Sequence, residues 1–165
     1  MNAIFTNTYT SSKKYFKEIY ASIFLGPFTI VLMVFSWLTF FANLALLILG
    51  QEYFTIGFLV APWFTLIILY IYFSQVRGAV KREKEMYGSF TTITSTVTDE
   101  YIDCQSSSGN SSRLEYGNIA GIKKTKNLIL IRSKARFIFV MERSTFVGGT
   151  DEDFIRYLKG KMAKS

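Results

Sequence analysis

Two long uncharged stretches dominate the pattern of polar and apolar positions. One runs over Ile19–Gln51 and the other over Tyr53–Val76. A membrane core about 30 Å thick needs about 20 apolar helical residues. The first stretch is too long for one upright span, and Gly26–Pro27 divides it, because proline lacks a backbone N–H and restricts the residue before it. The pattern predicts a hairpin of two transmembrane helices, at about 28–49 and 55–76.

Positive charge flanks both spans and is absent between them. Ser12–Leu25 reads as an interfacial helix with lysines on one side, and basic residues also follow the second span, whereas the intervening loop around Glu52 has no lysine or arginine. Positive residues favour the cytoplasmic side of a membrane. We therefore expect a multi-pass protein of the cell membrane with both termini in the cytoplasm. Asn43, the one strongly polar side chain well inside a span, could hydrogen-bond across the hairpin or to another copy, so a homo-oligomer stays an open alternative.

The pattern changes after the second span. Residues 77–88 are charged and predict a juxtamembrane linker helix, and residues 89–165 predict a cytoplasmic domain of short strands. The strands are expected at Phe90–Thr98, Tyr101–Gln105, Arg113–Tyr116, Ile119–Thr125, Asn127–Arg132 and Arg136–Met141. Thr150 and Asp153 resemble a helix capping box, and Ile155, Leu158 and Met162 follow at helical spacing.

These segments define the expected fold class, α+β. Residues 1–27 form an N-terminal cytoplasmic or interfacial helix, and residues 28–76 form the transmembrane hairpin. A small antiparallel β-sheet or barrel with a C-terminal helix follows the linker.

The whole pattern resembles a known family. Thr96–Ile102 resembles an entry hairpin, Leu114–Ile119 resembles the step into a lysine-rich strand, and Asn127–Ile131 and Phe139–Phe146 resemble two late strands and the turn into a helix. On these stretches the chain is similar to the YcxB-like membrane proteins of Gram-positive bacteria, although it lacks the proline near Glu142 and the tryptophan near Tyr116 that the family usually has. The resemblance implies a domain like a pleckstrin-homology domain and implies no reaction.

Composition argues against catalysis. The chain has 165 residues, a net charge of +7 and no histidine, the commonest general base and metal ligand. Its single cysteine, Cys104, excludes an internal disulfide and reads as a buried strand residue. The acidic run Asp151–Asp153 is better explained by a helix N-terminus than by a metal. We expect no enzyme, no cofactor and no metal site, although a Ser–Lys enzyme acting on a lipid-like substrate is a third hypothesis.

Two basic clusters are the remaining candidate sites. Residues 77–165 hold 16 lysines and arginines against 10 acidic residues. The candidate lipid- or partner-binding residues are Arg77, Lys81, Arg82 and Lys84 after the second span, and Lys123, Lys124 and Lys126 in a later strand. A simpler reading makes the first cluster an ordinary positive-inside anchor and the second a solvated strand edge. No aromatic residue lies among Lys123–Lys126, which argues against nucleic acid.

The leading functional hypothesis is a non-catalytic, membrane-anchored module. Its cytoplasmic domain would bind a protein partner or anionic lipid at the inner leaflet. The alternative is a bacterial immunity protein, in which the hairpin and its outer loop protect against a membrane-active toxin or bacteriocin.

Overall fold

The computed structural model describes residues 3–50 and 57–163. The predicted outer loop Gln51–Ile56, on which the immunity hypothesis depends, and the start of the span predicted at 55–76 lie outside these residues. The chain divides into two compact units. One comprises Met1–Glu18 together with Val80–Ser165 (the sheet unit), and the other comprises Ile19–Ala79 (the helical unit).

The fold class is α+β, as predicted. The helices are α1 (Lys13–Phe24), α2 (Pro27–Ile48), α3 (Gly57–Tyr87) and α4 (Asp151–Met162). The strands are β1 (Phe5–Thr10), β2 (Thr92–Val97), β3 (Tyr101–Ser106), β4 (Ser111–Glu115), β5 (Ile119–Lys124), β6 (Leu128–Ser133), β7 (Ile138–Glu142) and β8 (Phe146–Val147). A short 3-10 turn, Tyr116–Asn118, separates β4 from β5.

Helices α2 and α3 are long and apolar enough to cross a membrane. Helix α2 has 22 residues and begins at Pro27, whose missing N–H is harmless in a first helical turn. Its 22 residues rise about 33 Å, the thickness of a bilayer core. Large apolar side chains such as Phe28, Phe35 and Tyr70 are exposed, which suits contact with lipid. Trp37 Nε1 donates to Thr65 Oγ1 at 3.1 Å and joins α2 to α3.

Helix α3 differs from its prediction in length. The span expected at 55–76 and the linker helix expected at 77–88 form one continuous helix that ends at Tyr87. Asn43, in α2, donates from Nδ2 to the Thr39 carbonyl of its own helix at 2.8 Å.

The sheet unit holds two antiparallel sheets. Their strand orders are β4-β3-β2-β1-β8 and β5-β6-β7. Strands β2 to β7 confirm the six predicted strands, while β1 and β8 were not predicted. The sheets form no barrel, because β4 and β5 are consecutive in sequence but do not pair with each other in the described part of the chain. The expected barrel is therefore replaced by two open sheets.

Helix α4 packs on the core that both sheets share. Phe154 and Leu158 on α4 are fully buried with residues from each sheet, including Ile102 and Ile131. The predicted capping box is confirmed, since Thr150 Oγ1 accepts from the Asp153 N–H and the Asp153 side chain accepts from the Thr150 N–H. The capped first turn fixes where α4 begins and so which of its faces is buried.

Candidate lipid-facing surface

A buried polar network joins the ends of α1 and α3 within the sheet unit. Ser11, just before α1, donates from Oγ to Glu83 Oε1 at 2.6 Å, and the Thr91 N–H donates to both Ser11 Oγ and Glu83 Oε1 at 3.0 Å. The Ser11 N–H donates in turn to the Thr91 carbonyl at 2.9 Å. Ser11 and Thr91 are buried. The segments that enter α1 and leave α3 are therefore fixed side by side.

Glu18 ties α1 to the turn between β5 and β6. Its Oε1 accepts from Thr125 Oγ1 at 2.5 Å and from the Asn127 N–H at 2.7 Å, and its Oε2 accepts from Asn127 Nδ2 at 2.7 Å. Burial raises the pKa of Glu18, but the hydrogen bonds from Asn127 and Thr125 together outweigh it and hold the pKa below its usual range. The carboxylate therefore stays ionised and holds this turn against α1.

A second contact of α1 reaches β7. Tyr15 OH donates to Glu142 Oε1 at 2.5 Å, and this bond, with a smaller contribution from burial, raises the pKa of Tyr15 to about 12. The first turns of α1 are thus held by the second sheet at two points. The lysine-bearing start of α1 is in this way part of the folded sheet unit.

Strand register shows that these contacts share one end of the sheet unit. Thr10 pairs with Thr92, and the Ser107 N–H donates to the Thr92 carbonyl, which places the β3–β4 loop there as well. We call this the helix-joined end. The opposite, distal end contains the β2–β3 turn, the 3-10 turn and the β6–β7 turn, since Tyr101 pairs with Glu115 and the Lys134 N–H donates to the Asn118 carbonyl.

The structure places the first predicted basic cluster in both units. Arg77 belongs to the helical unit, whereas Lys81, Arg82 and Lys84 lie on the last turns of α3, which belong to the sheet unit. Lys81 forms an exposed ion pair with Glu85 at 3.5 Å, and Lys84 Nζ lies 5.6 Å from the ring centre of Phe90. Exposed pairs of this kind contribute little energy, so these cations can still interact with other anions.

The second predicted cluster lies at the end of β5 and in the β5–β6 turn. Lys124 forms ion pairs within the sheet unit, because its Nζ lies 3.2 Å from Asp151 and 3.3 Å from Glu152. Arg143 Nε also donates to Asp151 at 2.6 Å, and chiefly this bond lowers the pKa of Asp151. Lys123 and Lys126 are exposed.

Lys124 therefore has a structural role that the sequence did not indicate. It neutralises the acidic first turn of α4 and fixes the helix against the edge of β5. The interpretation of the acidic run Asp151–Asp153 as a helix N-terminus is confirmed by the capping box, and Arg143 and Lys124 are its counterions. A candidate surface at this end depends more on Lys126 than on Lys124.

The one other concave feature that we consider is an open groove of about 580 Å³ at the distal end. Its lining residues are Asp99, Glu100, Tyr101, Arg113, Glu115, Tyr116, Gly117 and Lys161. Lys161 Nζ lies 3.2 Å from Asp99 Oδ1, and the guanidinium of Arg113 stacks 3.9 Å from the ring centre of Tyr101. Because both cations are engaged and three carboxylates line the groove, it does not suit an anionic ligand.

Sequence reasoning missed Ser11, Glu18 and Glu83, the side chains that organise the helix-joined end. In the sequence, each carboxylate reads as an ordinary partner for neighbouring lysines. A signal was present in Glu18, the one acidic residue of a lysine-rich helix, but its partners lie more than one hundred positions away.

Among residues 3–50 and 57–163, no group of three or more acidic, cysteine or histidine side chains is placed to hold a metal ion. Comparisons with protein-family models, curated proteins and solved structures gave no match. The functional conclusion therefore depends on the geometry of the helix-joined end.

Proposed function

We propose that the chain is a non-catalytic, membrane-anchored module whose sheet unit contacts anionic lipid at the inner leaflet through its helix-joined end. In this proposal the hairpin of α2 and α3 spans the cell membrane, both termini are cytoplasmic, and the chain is a YcxB-like protein with a pleckstrin-homology-like domain. The two open sheets and the late helix support that assignment.

One observation carries the proposal. The network of Ser11, Glu83 and Thr91 holds the start of α1 and the end of α3 at one end of a basic domain. Basic residues of the sheet unit that lie at this end are Lys13, Lys14, Lys17, Lys81, Arg82, Lys84, Lys123 and Lys126. Segments that connect directly to membrane spans lie near headgroups, where each lysine or arginine contributes about 1 kcal/mol of attraction to anionic lipid.

Rigidity makes this surface more than a positive-inside anchor. A flexible basic linker satisfies the topology rule equally well. Here α1 is held by Glu18 and Tyr15 and the turn after α3 is held by Ser11, so the cations keep fixed positions relative to the sheets. Lipid binding at this end would thereby set the orientation of the domain at the membrane.

The test is photo-crosslinking of the full chain in native membranes. The crosslinkable residue replaces Lys126 at the helix-joined end and, as a matched control, Glu100 in the exposed distal β2–β3 turn. We expect anionic phospholipid to be captured from position 126 and not from position 100. Equal capture of lipid from both positions would overturn the proposal that the helix-joined end contacts lipid. Capture of protein alone from position 126 would overturn it as well and would favour a protein partner.

A further inference from the structure

The β6–β7 hairpin ends in a basic tip with an exposed aromatic ring. Phe137 is 69% exposed and Ile138, next to it, is 37% exposed. Arg132, Lys134 and Arg136 surround them and are also exposed. We call Arg132–Ile138 the distal tip.

The distal tip has no counter-charge nearby in sequence. No aspartate or glutamate occurs from residue 116 to residue 141, whereas that stretch contains six lysines and arginines. In the described part of the chain, the ion pairs of the sheet unit involve other cations, such as Lys124, Arg143 and Lys161, and none joins Arg132, Lys134 or Arg136 to an acid. These three charges are therefore available to an external anionic group.

The backbone holds the tip rigid. The Ser133 N–H donates to the Phe137 carbonyl at 2.9 Å, the Arg136 N–H donates to the Ser133 carbonyl at 3.0 Å, and the Phe137 N–H donates to Ser133 Oγ at 3.0 Å. Ser133 itself is buried. The loop Lys134–Arg136 is thus a short closed hairpin that presents Phe137 at a fixed place.

Arg136 occupies a position that its side chain disfavours. Its φ of 68° makes it the one residue other than glycine with positive φ among the described residues. Three-residue hairpin loops commonly place such a residue last, and glycine is the natural choice there. An observed backbone outlier supports a hypothesis of function. At this position Arg136, where glycine would be less strained, adds a third cation beside Phe137.

The composition of the tip indicates its occupant. The tip is a protruding hairpin loop that combines an exposed aromatic ring with three exposed cations. A bilayer surface accepts a convex tip, because the aromatic ring enters the interfacial layer while lysine and arginine meet phosphate groups.

We propose that the distal tip is a second lipid-contacting site, which inserts Phe137 into the interface of an anionic phospholipid bilayer. This inference rests on the proposed function in assuming that the chain works at a membrane. It adds a site at the end of β6 opposite the turn that Glu18 holds, so both sites contact one leaflet when β6 lies along the membrane surface. A six-residue strand separates the two ends by about 20 Å.

The test uses the full chain reconstituted in liposomes. A Cys104→Ser, Ala135→Cys chain carries an environment-sensitive nitrobenzoxadiazole label at the exposed position 135, which leaves Phe137 and the cations intact. The liposomes contain either phosphatidylcholine alone or phosphatidylcholine mixed with phosphatidylglycerol. We expect a blue-shifted emission, quenched by nitroxide-bearing lipid, in the mixed liposomes only.

Two variants and two controls make the result specific. Arg136→Gly should lower the ratio of lipid-contacting to solvent-exposed label roughly five-fold, because it removes the attraction of one cation to the anionic surface. Phe137→Ser should abolish the shift. Lys159→Gln, which removes an exposed cation from α4, should leave it unchanged, and a label at Glu100→Cys should stay solvent-like in both liposomes.

An unshifted label at position 135 in anionic liposomes, or a shift that Arg136→Gly and Phe137→Ser leave intact, would overturn the inference. A shift that appears only when a soluble protein or nucleic acid is added would overturn it as well. A label at Lys126→Cys separates the two proposals. If position 126 reports lipid and position 135 does not, the proposed function stands and the distal tip is not a lipid site; if neither reports lipid, both fail.

Discussion

The side-chain amide of Asn7 pairs with the main chain of Glu142 in place of a strand residue. Asn7 Nδ2 donates to the Glu142 carbonyl at 2.7 Å, and the Glu142 N–H donates to Asn7 Oδ1 at 3.1 Å. Asn7 is fully buried. Since β1 belongs to one sheet and β7 to the other, this amide joins the two sheets where their main chains do not pair.

Replacing Asn7 by alanine should lower the free energy of unfolding of the sheet unit by about 2–3 kcal/mol, because the part-buried N–H and carbonyl of Glu142 lose their partners. The sole cysteine offers the measurement. Cys104 is buried in β3, so its rate of alkylation in the detergent-solubilised full chain reports opening of the domain. Asn118→Ala, at an exposed asparagine, is the control and should change the rate little. Equal effects of the two substitutions would contradict the bridging role of Asn7.

Asn7 also explains why the sequence analysis did not predict β1. The segment Phe5–Thr10 alternates as a strand does, with Phe5, Asn7 and Tyr9 inward and the threonines between them. An asparagine in the middle of the inward face makes the pattern look polar. Its burial is favourable only beside Glu142, and no local pattern contains that information. By contrast, β6 is recognisable from four consecutive aliphatic residues that need no distant partner.

A glycine turn just before α4 allows β1 and the turn to approach closely. Gly148 has a φ of 96°, and a Cβ there would lie 2.3 Å from the Ile4 carbonyl oxygen. Gly109, in the β3–β4 loop, has a similar φ of 89° and nothing within 4 Å of its Cβ position. Alanine would be strained in the backbone at both positions, but only at Gly148 would its Cβ also clash with β1.

Gly109→Ala should therefore destabilise the sheet unit by about 1–2 kcal/mol, the cost of a left-handed residue. Gly148→Ala should cost a further ~1–3 kcal/mol, because backbone atoms of β1 have to move. Urea titration monitored by alkylation of Cys104 measures both. Equal losses at the two positions would mean that β1 shifts without cost.

The contact between α1 and the β5–β6 turn should depend on pH. Because the pKa of Glu18 is lowered in the folded state, its stabilising contribution is fully present above the unfolded pKa of about 4.3. That contribution is lost as the pH falls through the lower folded pKa. Asp151, whose pKa is also lowered, acts in the same direction.

Hydrogen–deuterium exchange of the peptide that contains Asn127, corrected for the intrinsic rate, measures this contact. Protection should be high near neutral pH and fall in acid. Glu18→Gln should lower the protection at neutral pH and make the protection depend less on pH. Glu100→Gln, at an exposed turn, should leave the pH dependence of protection unchanged. An unchanged profile in Glu18→Gln would show that α1 is held by other contacts.

Arg136 gives a prediction in which stability and lipid contact move in opposite directions. Arg136→Gly removes a left-handed strain of about 1–2 kcal/mol and adds about 0.5–1 kcal/mol of chain entropy to the unfolded state. The sheet unit should gain about 0.5–1 kcal/mol, measured by alkylation of Cys104. A loss of stability would mean that the arginine side chain has a structural role.

How far the candidate surface could be predicted differs between its parts. Lys81, Arg82 and Lys84 follow a long apolar helical stretch, and for such residues the positive-inside rule predicts headgroup contact from sequence alone. Lys124 belongs to the second predicted cluster, yet its pairing with Asp151 depends on α4 folding back beside β5. Within the distal tip, the sequence predicts a turn between the strands Asn127–Arg132 and Arg136–Met141. The exposure of Phe137 and the left-handed conformation of Arg136 appear only when the hairpin closes.

The orientation of the chain can be tested with a single introduced thiol. In a Cys104→Ser background, Ser107→Cys lies in the exposed β3–β4 loop of the sheet unit, and Gln51→Cys lies in the predicted outer loop. If both termini are cytoplasmic, a membrane-impermeant thiol reagent should label position 51 in intact cells and position 107 only after the cells are broken. In this topology the two thiols respond oppositely, because the bilayer would separate them. Labelling of position 107 in intact cells would reverse the orientation, and the basic helix-joined end would then face the outer leaflet, against the positive-inside rule.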